Sequence, residues 1–282
     1  MNKLVAIKKK NEIIMNQYSL VYKIYNDNID LVNEIIEKSN LPHTFKALKN
    51  FHSKIEELTS SLECIAVNNS FYSSQCLTRV LIEHFIVGYY IFTKCRIDES
   101  DECGEDYYQY YTIYETMKQE NYNSKLDKSY NQRISPLENF FLKVPEFSAQ
   151  DVSQSDFEEI NRRSNKFDIR KVLKFFQEDL DESDFYKETQ EVLISKCREY
   201  NKLSSFVHGG PTAELVTFNN SPIIDKEMVM KENIEFGKVM SYQILTYIMT
   251  LLVIEDKRFI EKYTPLHEFI IEGIRRNNEK SD

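Results

Sequence analysis

The sequence predicts an all-α protein folded as a helical bundle. Apolar residues recur every three or four positions along most of the chain, which is the spacing of one helix face. The 282 residues include only six glycines and six prolines, whereas turn-rich sheet proteins use more of both. We expect residues 1–282 to form a single helical domain with its core in about 45–95 and 183–277.

Three helices are predicted before residue 95. The first spans Asn11 to about Lys38, and the second begins at Pro42 and continues towards Val67. The segment Asn68-Asn69-Ser70 interrupts the pattern and offers an N-cap for a third helix over about 71–94. The second half of this helix, Val80 to Phe92, is apolar on nearly every face. We therefore expect it to lie at the centre of the bundle.

The middle of the chain gives weaker signals. Residues 98–106 are acidic and predict a solvated loop, and Tyr107 to Glu120 predict a helix. Residues 121–151 have no sustained period and are interpreted as a loop with short helical turns, which makes them a candidate for an insertion or a mobile lid. Short helices over 155–164 and 168–178 carry a basic cluster of Arg162, Arg163, Lys166, Arg170, Lys171 and Lys174. Acidic neighbours dilute this cluster, which favours a solvated face over the alternative of an RNA track.

A long helix is predicted from about Ser183 to His208. Gly209 and Gly210 can adopt the left-handed conformation that closes a helix, and Pro211 cannot continue one. Two more helices are expected over about 225–255 and 257–277, the second containing Pro265.

Composition excludes several classes of function. A net charge of −9 argues against coating of nucleic acid by bulk electrostatics, although it allows a small basic cleft. Five cysteines without a CxxC pair indicate reduced thiols in the cytoplasm and neither a disulfide frame nor a zinc site. No phosphate-binding glycine loop, HExxH or GxSxG occurs, so no cofactor or metal is predicted.

The sequence also predicts a cytoplasmic location. The N-terminus lacks the apolar core of a signal peptide, and the most apolar run, Val239 to Ile254, is short for a membrane span. We interpret that run as a core helix or as the interface of a homodimer.

Two places in the sequence suggest chemistry. Arg79 and Glu83 are four residues apart on the apolar third helix and can pair, because an unpaired charge there would be costly. The pair is interpreted first as structural, with the alternative that Glu83 orients His208. His208 could transfer protons, since imidazole titrates near neutral pH. It could equally satisfy the last carbonyls of its helix and interact with the negative end of the dipole.

The same residues resemble the HEPN superfamily of helical bundles. The resemblance is closest to a group of uncharacterised bacterial proteins that have an Arg-x-x-x-Glu helix and a Leu-Ser-x-x-Val-His-Gly segment. Here those motifs are Arg79-x-x-x-Glu83 and Leu203-Ser204-x-x-Val207-His208-Gly209. The resemblance covers about residues 45–95 and 185–215 and implies a HEPN-like core with two antiparallel central helices.

The resemblance also implies a chemistry. Nuclease members of the superfamily cleave RNA without a metal, by attack of the ribose 2′-hydroxyl on the adjacent phosphate. Their histidine is the acid or base, and an arginine holds the phosphate, a role that suits the guanidinium fork. Such proteins usually dimerise around a shared cleft. The implied catalytic residues are therefore His208, Arg79 and Glu83.

This chain departs from the nuclease pattern. Asn201 stands where the arginine is expected, and Lys202 could supply only a point charge. Arg198, further from His208, completes the expected RNA-binding set. A literal Arg-to-His spacing does occur between Arg79 and His84, but Val80 follows the arginine and the segment is too apolar for an open cleft.

Three functions remain open at this point. The first is RNA binding or cleavage in stress, toxin–antitoxin or phage defence, with an antitoxin or another defence protein as partner. The second is a non-catalytic interaction module in which Arg79, Glu83 and His208 form a structural network. The third is a small-molecule sensor within the central helices. An open cleft with His208 and a basic group favours the enzyme, whereas a His208 buried against Glu83 favours the scaffold.

Overall fold

The computed structural model describes residues 19–126, 154–179, 198, 200–218 and 225–264. Regular secondary structure in these ranges is entirely helical, which confirms the all-α class. The helices are α1 (19–27), α2 (Ile29–Lys38), α3 (Pro42–Val67), α4 (Phe71–Asp98), α5 (Glu102–Asp106), α6 (Thr112–Leu126), α7 (Gln154–Ser164), α8 (Ile169–Lys174), α9 (200–207), α10 (Pro211–Phe218), α11 (Lys226–Glu255) and α12 (257–264). Single π-helical turns follow α5 and α8, at Tyr107–Tyr111 and Phe175–Asp179, and a 3₁₀ turn, Asn165–Phe167, follows α7.

The long helices α3, α4 and α11 pack against one another and form the centre of the fold. Their buried faces meet through large apolar side chains, including Phe51, Phe85 and Ile244. Gly237 of α11 lies so close to α3 that an added Cβ would stand 2.4 Å from the hydroxyl oxygen of Thr59. Only glycine permits this approach, which fixes where the two helices cross.

Two helices, α4 and α11, are long and apolar enough to cross a membrane by length and composition alone. In this structure they pack together in the core, as the apolar run of α4 predicts.

The predicted N-terminal helices are confirmed where they are described. The first is interrupted at Asn28, whose side-chain amide donates to the carbonyl oxygen of Ile24 at 2.8 Å. The second begins at Pro42 and ends at Val67, as expected. The third continues past the predicted Lys94 to Asp98 and closes at a left-handed Glu99.

The prediction of a solvated acidic loop over 98–106 is wrong. Asp101 accepts hydrogen bonds from the backbone N–H groups of His43 at 2.9 Å and Thr44 at 2.7 Å. It therefore caps the start of α3, where the first N–H groups have no partner within the helix. Residues 102–106 form a helix, and Cys103 in it is buried.

Asp106 gives the same segment a second role. Its carboxylate is fully buried and forms ion pairs with Arg163 and Lys166, and Arg163 also donates to the hydroxyl of Tyr110 at 2.9 Å. Part of the basic cluster is thus internal and is not the solvated face that was predicted. The charges compensate one another inside the fold, as a buried carboxylate requires.

Other boundaries can be compared only in part. Residues 121–126 continue α6 as regular helix, where a loop with short helical turns was predicted. The remainder of the predicted loop, most of the long helix before residue 198, and the last predicted helix beyond residue 264 lie outside the described residues. The helices predicted over 155–164, 168–178 and 225–255 are confirmed within a few residues.

Candidate functional site

Helix α9 ends in the turn that its glycines predict. The N–H of Gly210 donates to the carbonyl oxygen of Ser205 at 2.8 Å, and that of Gly209 donates to Phe206 at 3.3 Å. Gly209 has a φ of 63°, so this is a Schellman closure. His208 immediately precedes the left-handed residue and is exposed. The chain therefore presents an exposed imidazole at the C-terminal end of α9.

Aromatic contacts hold this helix end against the first turn of α4. The hydroxyl of Tyr72 donates to the carbonyl oxygen of Phe206, and the two rings lie 5.9 Å apart. The ring of Phe206 also meets Phe71 edge-on at 6.1 Å. Because Leu203 and Phe206 are both buried, α9 turns its opposite face away from the core.

Arg79 connects α4 to a neighbouring part of α9, where Tyr200 is also buried. Its Nη2 donates to the hydroxyl of Tyr200 at 2.7 Å, and its Nε donates to Oγ of Ser204 at 3.3 Å. Its Nη1 donates to Oε2 of Glu83 at 3.3 Å, within α4. The guanidinium carbon also lies 4.5 Å from the centroid of the Tyr200 ring, a cation–π contact.

The predicted pair of Arg79 and Glu83 is present, but its surroundings differ from the prediction. The Arg79 side chain is 17% exposed and that of Glu83 is 39% exposed, so Glu83 reaches solvent instead of lying among apolar groups. Burial raises the pKa of Tyr200, with the nearby Glu83 carboxylate as the second cause. The phenol therefore stays protonated and can donate to Glu83, whose Oε2 is 3.4 Å away.

A cleft of about 490 Å³ opens between α4, α8 and α9. From α9 and the residue that follows it, the cleft is lined by Tyr200, Asn201, Ser204 and His208. From α8 and its N-cap it is lined by Asp168, Ile169, Arg170 and Leu173, and from α4 by Arg79. His208 thus shares an open cleft with two guanidinium groups. The structure does not bring Glu83 to His208, since no hydrogen bond joins them in the described part of the chain and Glu83 is not among the lining residues.

Only one of the three predicted RNA-binding residues lines the cleft. Asn201 lines the cleft, whereas Lys202 and Arg198 are exposed on α9 but are not among the lining residues. One residue corresponds to about 100° of rotation along a helix, so Lys202 points well away from Asn201. Lys202 is therefore a poor substitute for the arginine that the nuclease pattern expects.

Arg170 lines the cleft but was not among the site residues predicted from the sequence. It is exposed, and its side chain has no hydrogen-bond or charged partner in the described part of the chain. Asp168 caps α8 by accepting from the backbone N–H of Arg170 at 3.0 Å. The basic cluster was the available signal, but only packing shows which of its members lines the same cleft as His208.

The literal Arg79-to-His84 spacing does not form the site. His84 packs near Phe51, with ring centroids 5.9 Å apart, and is not among the residues that line the cleft. Burial, followed by the charge of Lys54, lowers the pKa of His84 to about 4. The ring is therefore neutral at physiological pH.

No group of three or more potential metal ligands occurs within the described ranges. The two guanidinium groups and the imidazole of the cleft can donate hydrogen bonds to an anionic oxygen group such as a phosphate. The Asp168 carboxylate opposes an anion, although it also accepts from the backbone N–H of Arg170 at the start of α8.

No family model matches this chain, and no curated protein or solved structure is significantly similar to it.

Proposed function

We propose that this protein binds RNA in the cleft at the end of α9 and cleaves it as a metal-independent, HEPN-like endoribonuclease. The observation that carries the proposal is the exposed His208, which lines the same open cleft as Arg79 and Arg170. The resemblance of the Arg79–Glu83 and Leu203–Gly209 segments to the superfamily supports the same reading.

The reaction requires two things from the protein, which are a positive charge that binds the phosphate and a group that transfers a proton. The ribose 2′-oxygen forms a bond to phosphorus, and the bond from phosphorus to the 5′-oxygen breaks. The products are a 2′,3′-cyclic phosphate and a 5′-hydroxyl. His208 takes the 2′-proton or protonates the 5′-oxygen, and solvent water carries out the other transfer. Arg170 offers its fork to the phosphate oxygens.

Arg79 and Arg170 have different roles in this proposal. The donors of Arg79 are engaged by Glu83, Tyr200 and Ser204, so it holds the cleft wall in place. Arg170 has no such engagement in the described residues and is the better phosphate ligand. Arg170 thus supplies from α8 the guanidinium that the nuclease pattern would place at Asn201.

The proposed setting is cytoplasmic, in stress response, toxin–antitoxin function or phage defence, with an antitoxin or another defence protein as partner. We also propose a homodimer, because members of the superfamily that the chain resembles usually dimerise around a shared cleft. Sedimentation at micromolar concentration tests the dimer, and a monomer would contradict a shared cleft.

A second candidate is a non-catalytic interaction module. It is favoured by the hydrogen bonds of Arg79 to two helices, which is the connectivity of a structural clamp. This candidate gives His208 only a role at the negative end of its helix and leaves the open cleft without a function, and for that reason we place it second.

The proposal is tested by incubating purified protein with total RNA in the presence of EDTA. The wild-type protein is expected to degrade RNA, and His208→Ala to lose this activity with an unchanged melting temperature, since an exposed side chain contributes little to packing. Arg170→Ala is expected to slow cleavage, whereas Arg162→Ala, a matched exposed arginine outside the cleft, is not. Absence of any product from the wild-type protein would contradict catalysis.

A further inference from the structure

We propose that Asp168 is the general base of the cleft and that His208 is its general acid. This inference rests on the proposed function, which assigns one proton transfer to His208 and leaves the other to solvent water. Here Asp168 receives the proton of the 2′-hydroxyl. The two residues lie on different sides of the cleft, Asp168 at the N-cap of α8 and His208 directly after α9. Groups on different helices suit a displacement in which the attacking and leaving oxygens lie roughly in line through phosphorus.

Among the described residues that line the cleft, only Asp168 and His208 can take a proton near neutral pH. The two guanidinium groups are always protonated. Burial raises the pKa of Tyr200, and the nearby Glu83 carboxylate raises it further, so the phenol keeps its proton. The other side chains are amide, hydroxyl or aliphatic groups, which are not bases at this pH. Asp168 is therefore the one lining residue besides His208 that can serve in the second transfer.

One oxygen of Asp168 is available for this role. Its Oδ1 accepts from the backbone N–H of Arg170 at 3.0 Å, which caps α8. Its Oδ2 has no hydrogen-bond or charged partner in the part of the chain that the structure describes, and the residue is exposed. The cap thus fixes a free carboxylate oxygen two residues from Arg170, the proposed phosphate ligand.

The chemistry of the two groups decides which of them is the base. A carboxylate is deprotonated near neutral pH and can only accept a proton at the start of the reaction, whereas an imidazole is present in both forms. Asp168 therefore takes the proton of the 2′-hydroxyl as the 2′-oxygen bonds to phosphorus. Protonated His208 gives its proton to the 5′-oxygen as the bond from phosphorus to that oxygen breaks. Exchange of protons with water then restores both groups.

Replacement of Asp168 by asparagine tests this role without removing the cap, because asparagine is an equally good N-cap residue. The amide cannot take the proton, so cleavage should slow by at least about 100-fold, the lower end of the range for acid–base catalysis. A carboxylate that acted only by repelling the phosphate would give the opposite result, with tighter binding and no loss of rate. Asp225→Asn, at the exposed N-cap of α11 outside the cleft, should cleave at the wild-type rate.

Cleavage of two RNA oligonucleotides of the same sequence separates the base from the acid. One has the ordinary linkage, and the other has sulfur in place of the 5′-oxygen at the mapped cleavage position. A thiolate leaves without being protonated, because a thiol is far more acidic than an alcohol. The sulfur linkage should therefore restore cleavage by His208→Ala, which lacks the acid, but not by Asp168→Asn, which lacks the base. Fluorescence anisotropy should show that a 2′-deoxy oligonucleotide binds Asp168→Asn at least as tightly as it binds the wild-type protein.

The outcomes separate this inference from the proposed function. Cleavage of the ordinary linkage by Asp168→Asn at the wild-type rate, or an equal loss in Asp225→Asn, overturns the role of Asp168 and leaves the nuclease standing. Recovery of Asp168→Asn on the sulfur linkage also overturns it, because Asp168 would then be the acid, and so does weaker binding of the 2′-deoxy oligonucleotide. Failure of the sulfur linkage to restore His208→Ala overturns the assignment of His208 as the acid. Absence of cleavage by the wild-type protein contradicts the proposed function itself, and the inference with it.

Discussion

Arg79 and Tyr200 are joined twice across the boundary between α4 and α9. The guanidinium donates to the phenol oxygen at 2.7 Å, and its carbon lies 4.5 Å from the centroid of the same ring. This contact places α9, and with it His208, beside α4. The candidate site therefore depends on a structural contact that is distinct from the groups proposed to act on RNA.

Replacement of Arg79 by alanine is expected to destabilise the fold by about 1–3 kcal/mol, the usual range for leaving polar partners unsatisfied. The partners that lose their donor are Tyr200, Ser204 and Glu83. The loss should be smaller than for a fully buried pair, because Glu83 reaches solvent. Urea denaturation measures the change in the free energy of unfolding.

Arg258→Ala is the control for that measurement. Arg258 forms ion pairs with Asp256 and Glu34 on the surface, and pairs of this kind contribute little to stability because solvent screens them. Equal stability of the Arg79→Ala and wild-type proteins would contradict the structural role assigned to Arg79.

Replacement of Asp106 by alanine is expected to cost more, about 3–5 kcal/mol, because it removes the carboxylate that compensates Arg163 and Lys166. Glu159→Ala removes the carboxylate of an exposed pair with Arg162 and should change stability little. Chemical denaturation of the two variants compares the pairs directly. Similar small losses in both would show that Asp106 is not enclosed.

The stability of the protein should fall as the pH drops from about 6.5 to about 4. Burial lowers the pKa of His84 to about 4, so in this window the unfolded chain binds a proton that the folded chain does not. Burial also lowers the pKa of His52, so its protonation in the unfolded chain makes stability fall with decreasing pH in the same way. His84→Gln should reduce the slope, by no more than about 1.4 kcal/mol per pH unit.

Urea denaturation of the wild-type and His84→Gln proteins at several pH values measures both slopes. Parallel dependence of stability on pH in the two proteins would contradict the burial of His84 in its neutral form.

Features that depend on neighbouring residues could be predicted from the sequence. The end of α9 follows from Gly209 and Gly210, and the pairing of Arg79 with Glu83 follows from their spacing on one helix. Both involve contacts within a few residues of the chain. The all-α class follows from the periodicity in the same way.

Features that depend on packing could not be predicted. Tyr200 and Ser204 are partners of Arg79 only because α9 lies across α4 at one particular register. The acidic residues Asp101 and Asp106 look solvated locally, and distant segments of the chain make them a cap and an ion-pair partner. Arg170 belongs to the cleft because of the placement of α8, which the basic cluster alone does not determine.

Cleavage of a defined RNA oligonucleotide in EDTA tests the central claim most directly, with one 2′-deoxy substitution at the mapped cleavage position as the chemical control. The wild-type protein should produce a 2′,3′-cyclic phosphate, and the 2′-deoxy oligonucleotide should resist cleavage at that position. His208→Ala should abolish the product, whereas His84→Gln, at a histidine outside the cleft, should retain it. Cleavage by His208→Ala at the wild-type rate, or cleavage that ignores the 2′-deoxy substitution, would contradict the assignment of His208.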